Sequence, residues 1–81
     1  MAYSLFMSML REPSARLYAQ VADAIRREIA AGNPPAGGAL PGEMTLARRY
    51  GVGRNTVRDA MAMLRAEGLI DGRKGYRSRV L

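Results

Sequence analysis

The segment EMTLARRYGVGRNTVRDAMA, residues 43–62, constrains the fold more than any other part of the chain. Two short helices cross at roughly 90–120° through a tight turn only if the crossing point is small and the turn accepts a positive φ. Ala47 supplies the small residue and Gly51 the turn. The residues that would face the shared core are Leu46, Val52, Val57 and Ala60. This spacing predicts a helix-turn-helix, although a structural helical corner would give the same pattern.

The length and composition of the chain limit the classes of protein it can belong to. A chain of 81 residues forms one small domain, for which we expect oligomerisation or compact helical packing to supplement the core. The sequence has no cysteine, no histidine and seven acidic residues. It therefore lacks disulfides and most zinc ligands and general bases, so we expect no enzyme, metal site or cofactor. The absence of cysteine fits a cytoplasmic protein.

The positive charge of the chain is concentrated in its second half. The net charge is +6, with four basic against three acidic residues in 1–42 and nine against four in 43–81. Such a basic half suits nucleic acid, because neutralising phosphates releases their counterions. An anionic membrane surface would attract the same charge.

The first ten residues, MAYSLFMSML, are apolar. They have no basic start or small-residue cleavage site and are too short to cross a bilayer, so we do not interpret them as a targeting segment. A frayed tail, an arm packed on a dimer partner and a cloning remnant are the alternatives, although the apolar content disfavours a fully solvated tail. We divide the chain into residues 1–13, a candidate dimerisation arm, and residues 14–81, a folded domain.

An amphipathic helix is predicted to follow this segment. Apolar residues recur every four positions, at Leu17, Val21, Ile25 and Ile29. Ser14 is the predicted N-cap, and Gly32 is the predicted left-handed stop. The sequence NPPAGG, residues 33–38, then predicts a turn.

The second helix of the predicted helix-turn-helix has two contrasting sides. The side that must be buried consists of Val57, Ala60, Met61 and Leu64. The opposite side is short-chained and cationic, with Arg54, Asn55, Thr56, Arg58 and Ala62. It suits the major groove of DNA, where Arg forks onto guanine, Asn onto adenine and the Thr methyl contacts thymine. A solvated basic surface without a ligand is the alternative.

Arg54 and Arg58 lie one helical turn apart, where like charges repel by roughly 0.2–0.5 kcal/mol. An anion between them would remove this repulsion. We expect that anion to be DNA, with Arg54 on a phosphate and Arg58 on a base edge. Without DNA, Arg58→Ala is then expected to be neutral or slightly stabilising.

The end of the chain, LIDGRKGYRSRVL, predicts a β-hairpin after a helix cap at Gly68. A turn at residues 71–75 precedes alternating residues, of which Arg77 faces outward. The basic tip, Arg73 and Lys74, could reach the minor groove of DNA. A charged edge hairpin that only aids solubility is the alternative.

Three blocks of the sequence resemble the N-terminal winged helix-turn-helix domain of the GntR family of bacterial transcription regulators. They are LYAQVADAIRREIAAG, LPGEMTLARRYGVGRNTVRDAMAMLRAEGLI and GYRSRV, and the match runs from about residue 17 to residue 80. The resemblance implies an α+β fold with three helices and a small antiparallel β-hairpin wing. It also implies a DNA-bound homodimer with contacts from Arg54, Asn55, Thr56, Arg58, Lys74 and Gly75, and we add the basic wing residues Arg73 and Arg77.

Several residues depart from the family pattern. Gly42 and Gly53 replace the usual Ser before each helix of the pair, which weakens both N-caps by a few tenths of a kcal/mol. Met44 replaces an Arg that helps many members to hold DNA. Arg48 or Arg49 is a candidate replacement.

We therefore interpret the chain as a cytoplasmic regulator that binds a palindromic double-stranded operator as a homodimer and represses transcription. A winged-helix protein-interaction module is the alternative, and membrane binding is disfavoured because the basic and apolar residues lie in different elements. Family members continue into an effector-binding domain, whereas this sequence ends at Leu81. It is thus a free-standing regulator or a fragment, and we expect no small-molecule effector on this chain.

Overall fold

The computed structural model describes residues 13–72 and 77–81. Within these ranges, three helices precede a small antiparallel sheet. The helices are α1 (Pro13–Ala30), α2 (Glu43–Tyr50) and α3 (Arg54–Ala66), and the strands are β1 (Ile70–Asp71) and β2 (Arg79–Val80). This order is the α+β arrangement that the resemblance implies.

The core lies where α1 and α2 pack on α3. The predicted apolar side of α3 is buried along its length, which confirms the periodicity of its sequence. The largest fully buried side chains are Ile25, Leu46, Val57, Leu64 and Ile70. Each such side chain contributes about 1.5–3 kcal/mol through removal from water.

Helix α1 begins one residue earlier than expected and buries less of its predicted stripe. It starts at Pro13, so the prediction that Ser14 caps it is wrong. Proline suits the first turn because its missing N–H has no helical partner there. Leu17 keeps 40% of its surface exposed, contrary to the predicted stripe, because it lies at the rim of a shallow groove that covers it only in part.

The predicted stop at Gly32 is confirmed. Gly32 has a φ of 83°, in the left-handed region. The Asn33 N–H donates to the Glu28 carbonyl at 2.9 Å, and the Gly32 N–H donates to the Ile29 carbonyl at 3.0 Å. These two bonds form a Schellman motif, which satisfies the last carbonyls of α1.

The corner between α2 and α3 has the geometry that its sequence predicts. Gly51 adopts φ 66° and ψ 37°, and Ala47 is buried. The Val52 N–H donates to the Ala47 carbonyl at 3.0 Å, which closes the turn. Gly42 and Gly53 occupy the two N-cap positions without a side-chain hydrogen bond, so the expected weak caps are confirmed.

The base of the wing is fixed on both sides of β2. On one side, Ile70 pairs with Val80 in antiparallel register. On the other side, the Leu40 N–H donates to the Ser78 carbonyl at 2.8 Å and the Val80 N–H donates to the Gly38 carbonyl at 2.9 Å. The sequence predicted a turn over residues 33–38 but no partner for β2 in this connection, so the second pairing was not anticipated. It attaches the wing to the connection between α1 and α2.

Candidate nucleic-acid interface

The outer side of α3 brings together most of the predicted groove-reading residues. Arg54, Asn55, Arg58 and Ala62 are exposed on this helix, and Thr56 lies half-buried at their edge. We call these five residues the recognition face. The buried residues on the other side of α3 fix its orientation on the core, so the recognition face points away from α1.

A carboxylate from α2 lies between the two arginines of the recognition face. Nε of Arg58 donates to Oε2 of Glu43 at 2.9 Å, and Nη2 of Arg54 lies 3.5 Å from Oε1 of the same group. The anion between the arginines in the free protein is therefore Glu43. In the free protein, Glu43 thus offsets the repulsion for which DNA was the expected anion, and the premise that Arg58→Ala would remove an unrelieved repulsion is wrong.

The position of Glu43 explains why the sequence did not reveal this contact. Glu43 lies 15 residues before Arg58. Side chains of one helix contact each other at separations of three or four residues, so helical periodicity does not predict this pair. The two residues meet because the crossing of α2 and α3 places the first residue of α2 beside the second turn of α3. The sequence did show an acidic residue, Glu43, at the start of a basic segment. Which basic residue it contacts depends on the angle at which α2 and α3 cross.

The contact with Glu43 leaves the terminal nitrogens of the Arg58 guanidinium available. An arginine has five N–H donors, of which Nε–H is one. Because Arg58 uses Nε for Glu43, its two terminal nitrogens remain for another acceptor. Those terminal nitrogens are the pair that forks onto O6 and N7 of guanine.

The two arginines of α2 that could replace the usual family arginine have different surroundings. Nη1 of Arg49 lies 3.8 Å from Oε2 of Glu28, so Arg49 is directed toward α1. Arg48 is exposed one turn after Met44, which is also exposed. Of the two candidates, Arg48 therefore shares the outward side of α2 with the residue it would replace.

The wing is described only at its base. Arg77 is exposed, as predicted, and Nη1 of Arg79 donates to the Gly37 carbonyl at 3.5 Å. The predicted tip contacts Arg73, Lys74 and Gly75 lie outside the described residues.

A separate ion-pair network lies at the opposite end of α3. Arg26 of α1 holds Glu67 in a bidentate pair, with Nε at 2.9 Å from Oε1 and Nη2 at 2.6 Å from Oε2. This hydrogen bonding lowers the pKa of Glu67 and raises the pKa of Arg26. Asp23 pairs with Arg26 at 3.3 Å and with Arg27 at 2.7 Å. These acids neutralise cations of α1, whereas Glu43 is the acid that contacts the recognition face.

The described part of the chain also bears on membrane spanning and metal binding. No helix there is long and apolar enough to cross a membrane. Residues 13–72 and 77–81 also contain no cluster of three acidic, histidine or cysteine side chains that could hold a metal ion.

Comparison with known proteins gives consistent matches over most of the chain. Residues 17–80 match the bacterial regulatory proteins of the gntR family. An uncharacterised HTH-type transcriptional regulator of Rhizobium meliloti is 43% identical over 65 residues, covering 80% of this chain and 27% of that protein. The mannosyl-D-glycerate transport/metabolism system repressor MngR of Escherichia coli is 42% identical over 59 residues, covering 73% of this chain and 25% of that protein. The chain thus spans about a quarter of the length of these relatives.

A solved structure supports the same relationship at the level of the fold. The DNA-binding domain of AraR in complex with an operator superposes with a TM-score of 0.77 at 32% identity. The match covers 80% of this chain and 78% of that one. The winged-helix fold implied by the sequence is therefore confirmed.

Proposed function

The chain belongs to the gntR family of bacterial regulatory proteins, and we propose that it binds a palindromic double-stranded operator as a homodimer and represses transcription by occluding a promoter. Its fold is that of a DNA-binding regulator and not of an enzyme. The observation that carries the proposal is the recognition face of α3, where two arginines and an asparagine are exposed on a helix whose other side is buried.

Four residues of the recognition face have a role in the proposed complex. Arg58 contacts guanine with its two terminal nitrogens. Asn55 suits adenine, because its side-chain amide can accept a hydrogen bond from N6 and donate one to N7. Arg54 begins α3, where the partial positive charge of the helix N-terminus adds to its attraction for a phosphate. Thr56 contributes its methyl group or hydroxyl at the edge of the face.

The wing contributes a second, less specific contact. Arg77 is exposed at its base, and we propose that Arg73, Lys74 and Gly75 extend the contact into the neighbouring minor groove. The support for this contact is the pairing of β2 with both β1 and residues 37–40, which holds the base of the wing on the same core as α3.

Two observations support the dimer and the sign of regulation. Leu17 is exposed on α1, and the first ten residues of the chain are apolar in sequence, so we propose that this part of the chain contacts a second subunit. A homodimer with two-fold symmetry reads a palindrome. One of the relatives, MngR, is named a repressor.

We propose that the protein acts in the cytoplasm and that this chain carries no effector site of its own.

A selection experiment tests the proposal. The chain is incubated with a random double-stranded DNA library, the bound fraction is enriched over several rounds, and the enriched duplex is compared with a shuffled one by fluorescence anisotropy. We expect an enriched motif with two-fold symmetry, and sedimentation of the complex as two chains per duplex. Absence of any enriched motif would contradict operator recognition and would favour the protein-interaction module.

A further inference from the structure

We infer that Glu43 is a positioning residue that makes the recognition face select operator over other DNA. This inference rests on the proposed DNA-binding function and assigns a role to a residue that makes no contact with DNA in that proposal. Its basis is the carboxylate shared by Arg58, at 2.9 Å, and Arg54, at 3.5 Å.

The first effect of Glu43 is geometric. A long arginine side chain on a helix surface has many rotamers, and holding it in one of them costs conformational entropy. The hydrogen bond from Nε of Arg58 to Glu43 selects a rotamer before DNA arrives. The two terminal nitrogens of the guanidinium then stay available for a bidentate contact with guanine. Glu43 thereby strengthens the contact that carries sequence information.

The second effect of Glu43 is electrostatic and acts on all DNA alike. Binding to non-operator DNA depends almost entirely on the attraction between basic side chains and phosphates. A carboxylate between two arginines offsets part of that attraction at every position on the duplex. Glu43 therefore lowers affinity for any sequence, while its geometric effect raises affinity only where a guanine is correctly placed.

The structure holds Glu43 in place independently of DNA. It is the first residue of α2, where a negative charge is favoured by the helix dipole. Its side chain is 37% exposed, less than those of Arg54 at 52% and Arg58 at 55%. The carboxylate is therefore less exposed to solvent than either arginine that contacts it.

Asp23 provides a closely matched control for a charge change at Glu43. Its carboxylate also pairs with two arginines, at 3.3 Å to Arg26 and 2.7 Å to Arg27. All three of these residues lie on α1, outside the helix-turn-helix. The substitutions Glu43→Gln and Asp23→Asn therefore remove the same charge and affect the same number of ion pairs, but only the first affects the recognition face.

The test measures binding of the wild-type chain and both variants to the enriched operator and to a shuffled duplex. For Glu43→Gln we expect tighter binding of the shuffled duplex and a fall of about tenfold in the ratio of the two affinities. For Asp23→Asn we expect a ratio within about twofold of wild type, because the ion pairs of Asp23 are with Arg26 and Arg27, neither of which belongs to the recognition face. Thermal unfolding of each variant checks that the fold is retained.

A second variant separates the two effects and does not depend on the behaviour of Glu43→Gln. Glu43→Asp keeps the charge and shortens the side chain by one methylene, so it weakens the hydrogen bond to Arg58. We expect it to lose operator affinity while its affinity for the shuffled duplex stays near that of wild type.

The outcomes distinguish this inference from the proposed function. If wild type prefers the operator and both Glu43 variants keep the same preference, the positioning role is overturned and the proposed function stands. If Glu43→Gln and Asp23→Asn reduce the preference equally, the effect is one of net charge and the positioning role is again overturned. If wild type binds neither duplex, the proposed function fails, and with it this inference.

Discussion

The carboxylate of Glu43 accepts a hydrogen bond of 2.9 Å from Nε of Arg58, which joins the first residue of α2 to the second turn of α3. This contact crosses the helix-turn-helix at its outer side, whereas Leu46, Ala47 and Val57 join the same two helices through the core. Glu43 of α2 therefore contacts both arginines of the recognition face, which belongs to α3.

Substitution of Arg58 by Ala should slightly destabilise the free protein. The ion pair with Glu43 is exposed, and pairs of this kind contribute from about zero to 1 kcal/mol. We expect Arg58→Ala to lower the free energy of unfolding within that range in urea denaturation. Arg54→Ala should have a smaller effect, because its nearest nitrogen lies 3.5 Å from the carboxylate. A gain in stability on Arg58→Ala would mean that repulsion between the arginines outweighs the pair.

The same two substitutions should have different effects on DNA binding. Replacing the proposed base reader, Arg58, should cost about 1–3 kcal/mol on the operator and relax the preference at one base pair. Replacing the proposed phosphate contact, Arg54, should weaken all duplexes alike and reduce the salt dependence by about one unit of slope. Anisotropy titrations with operator variants measure both effects. Wild-type binding by both variants would show that the recognition face does not contact DNA.

Acid should weaken the attachment of α1 to α3. The pair with Arg26 lowers the pKa of Glu67 below its usual value of 4.5, so Glu67 binds a proton less readily in the folded than in the unfolded chain. Its contribution to stability is present above pH 4.5 and is lost as the pH falls through the lowered pKa. Glu67→Gln should be less stable than wild type at pH 7, and the difference between their melting temperatures should shrink as the pH falls below 4.5 and Glu67 takes up a proton. A difference that is constant with pH would contradict the pair.

Removal of the Tyr50 hydroxyl should not destabilise the protein. Burial raises the pKa of Tyr50, and its hydroxyl oxygen is buried without a hydrogen-bond partner among the described residues. A buried polar group without a partner costs about 1–3 kcal/mol, so Tyr50→Phe should raise the melting temperature or leave it unchanged. Thermal unfolding followed by circular dichroism measures this effect, with Tyr18→Phe, at a half-buried tyrosine of α1, as the comparison. A clear loss of stability would show that the hydroxyl has a partner in the chain.

The features that the sequence predicted correctly depend on local chemistry. Gly32, Gly51 and Gly68 were identified as left-handed positions because each follows a helical pattern, and their φ values of 83°, 66° and 76° confirm this. The buried side of α3 was predicted because its apolar residues have the period of a helix. Each of these predictions depends on residues that lie within one or two helical turns of each other.

Two of the features that the sequence missed depend on residues that are distant along the chain, and a third, the start of α1, is local. The pairing of β2 with residues 37–40 consists of backbone hydrogen bonds, whose partners lie about 40 residues apart along the chain and leave no side-chain pattern that predicts them. The contact between Glu43 and Arg58 requires the crossing angle of α2 and α3. The start of α1 at Pro13 was misjudged because Ser14 is a good N-cap residue, yet proline is equally favoured at the first helical position.

The dependence of operator binding on salt is the most direct test of the central claim that the recognition face of α3 and the basic wing bind DNA. The affinities of the wild-type chain for operator and shuffled duplex are measured by anisotropy across a series of salt concentrations. With about five phosphates neutralised per subunit, the slope of log K against log salt should be near −9 for a dimer, and the operator should be preferred at every concentration. A slope near zero, or equal affinity for the two duplexes throughout, would contradict this account.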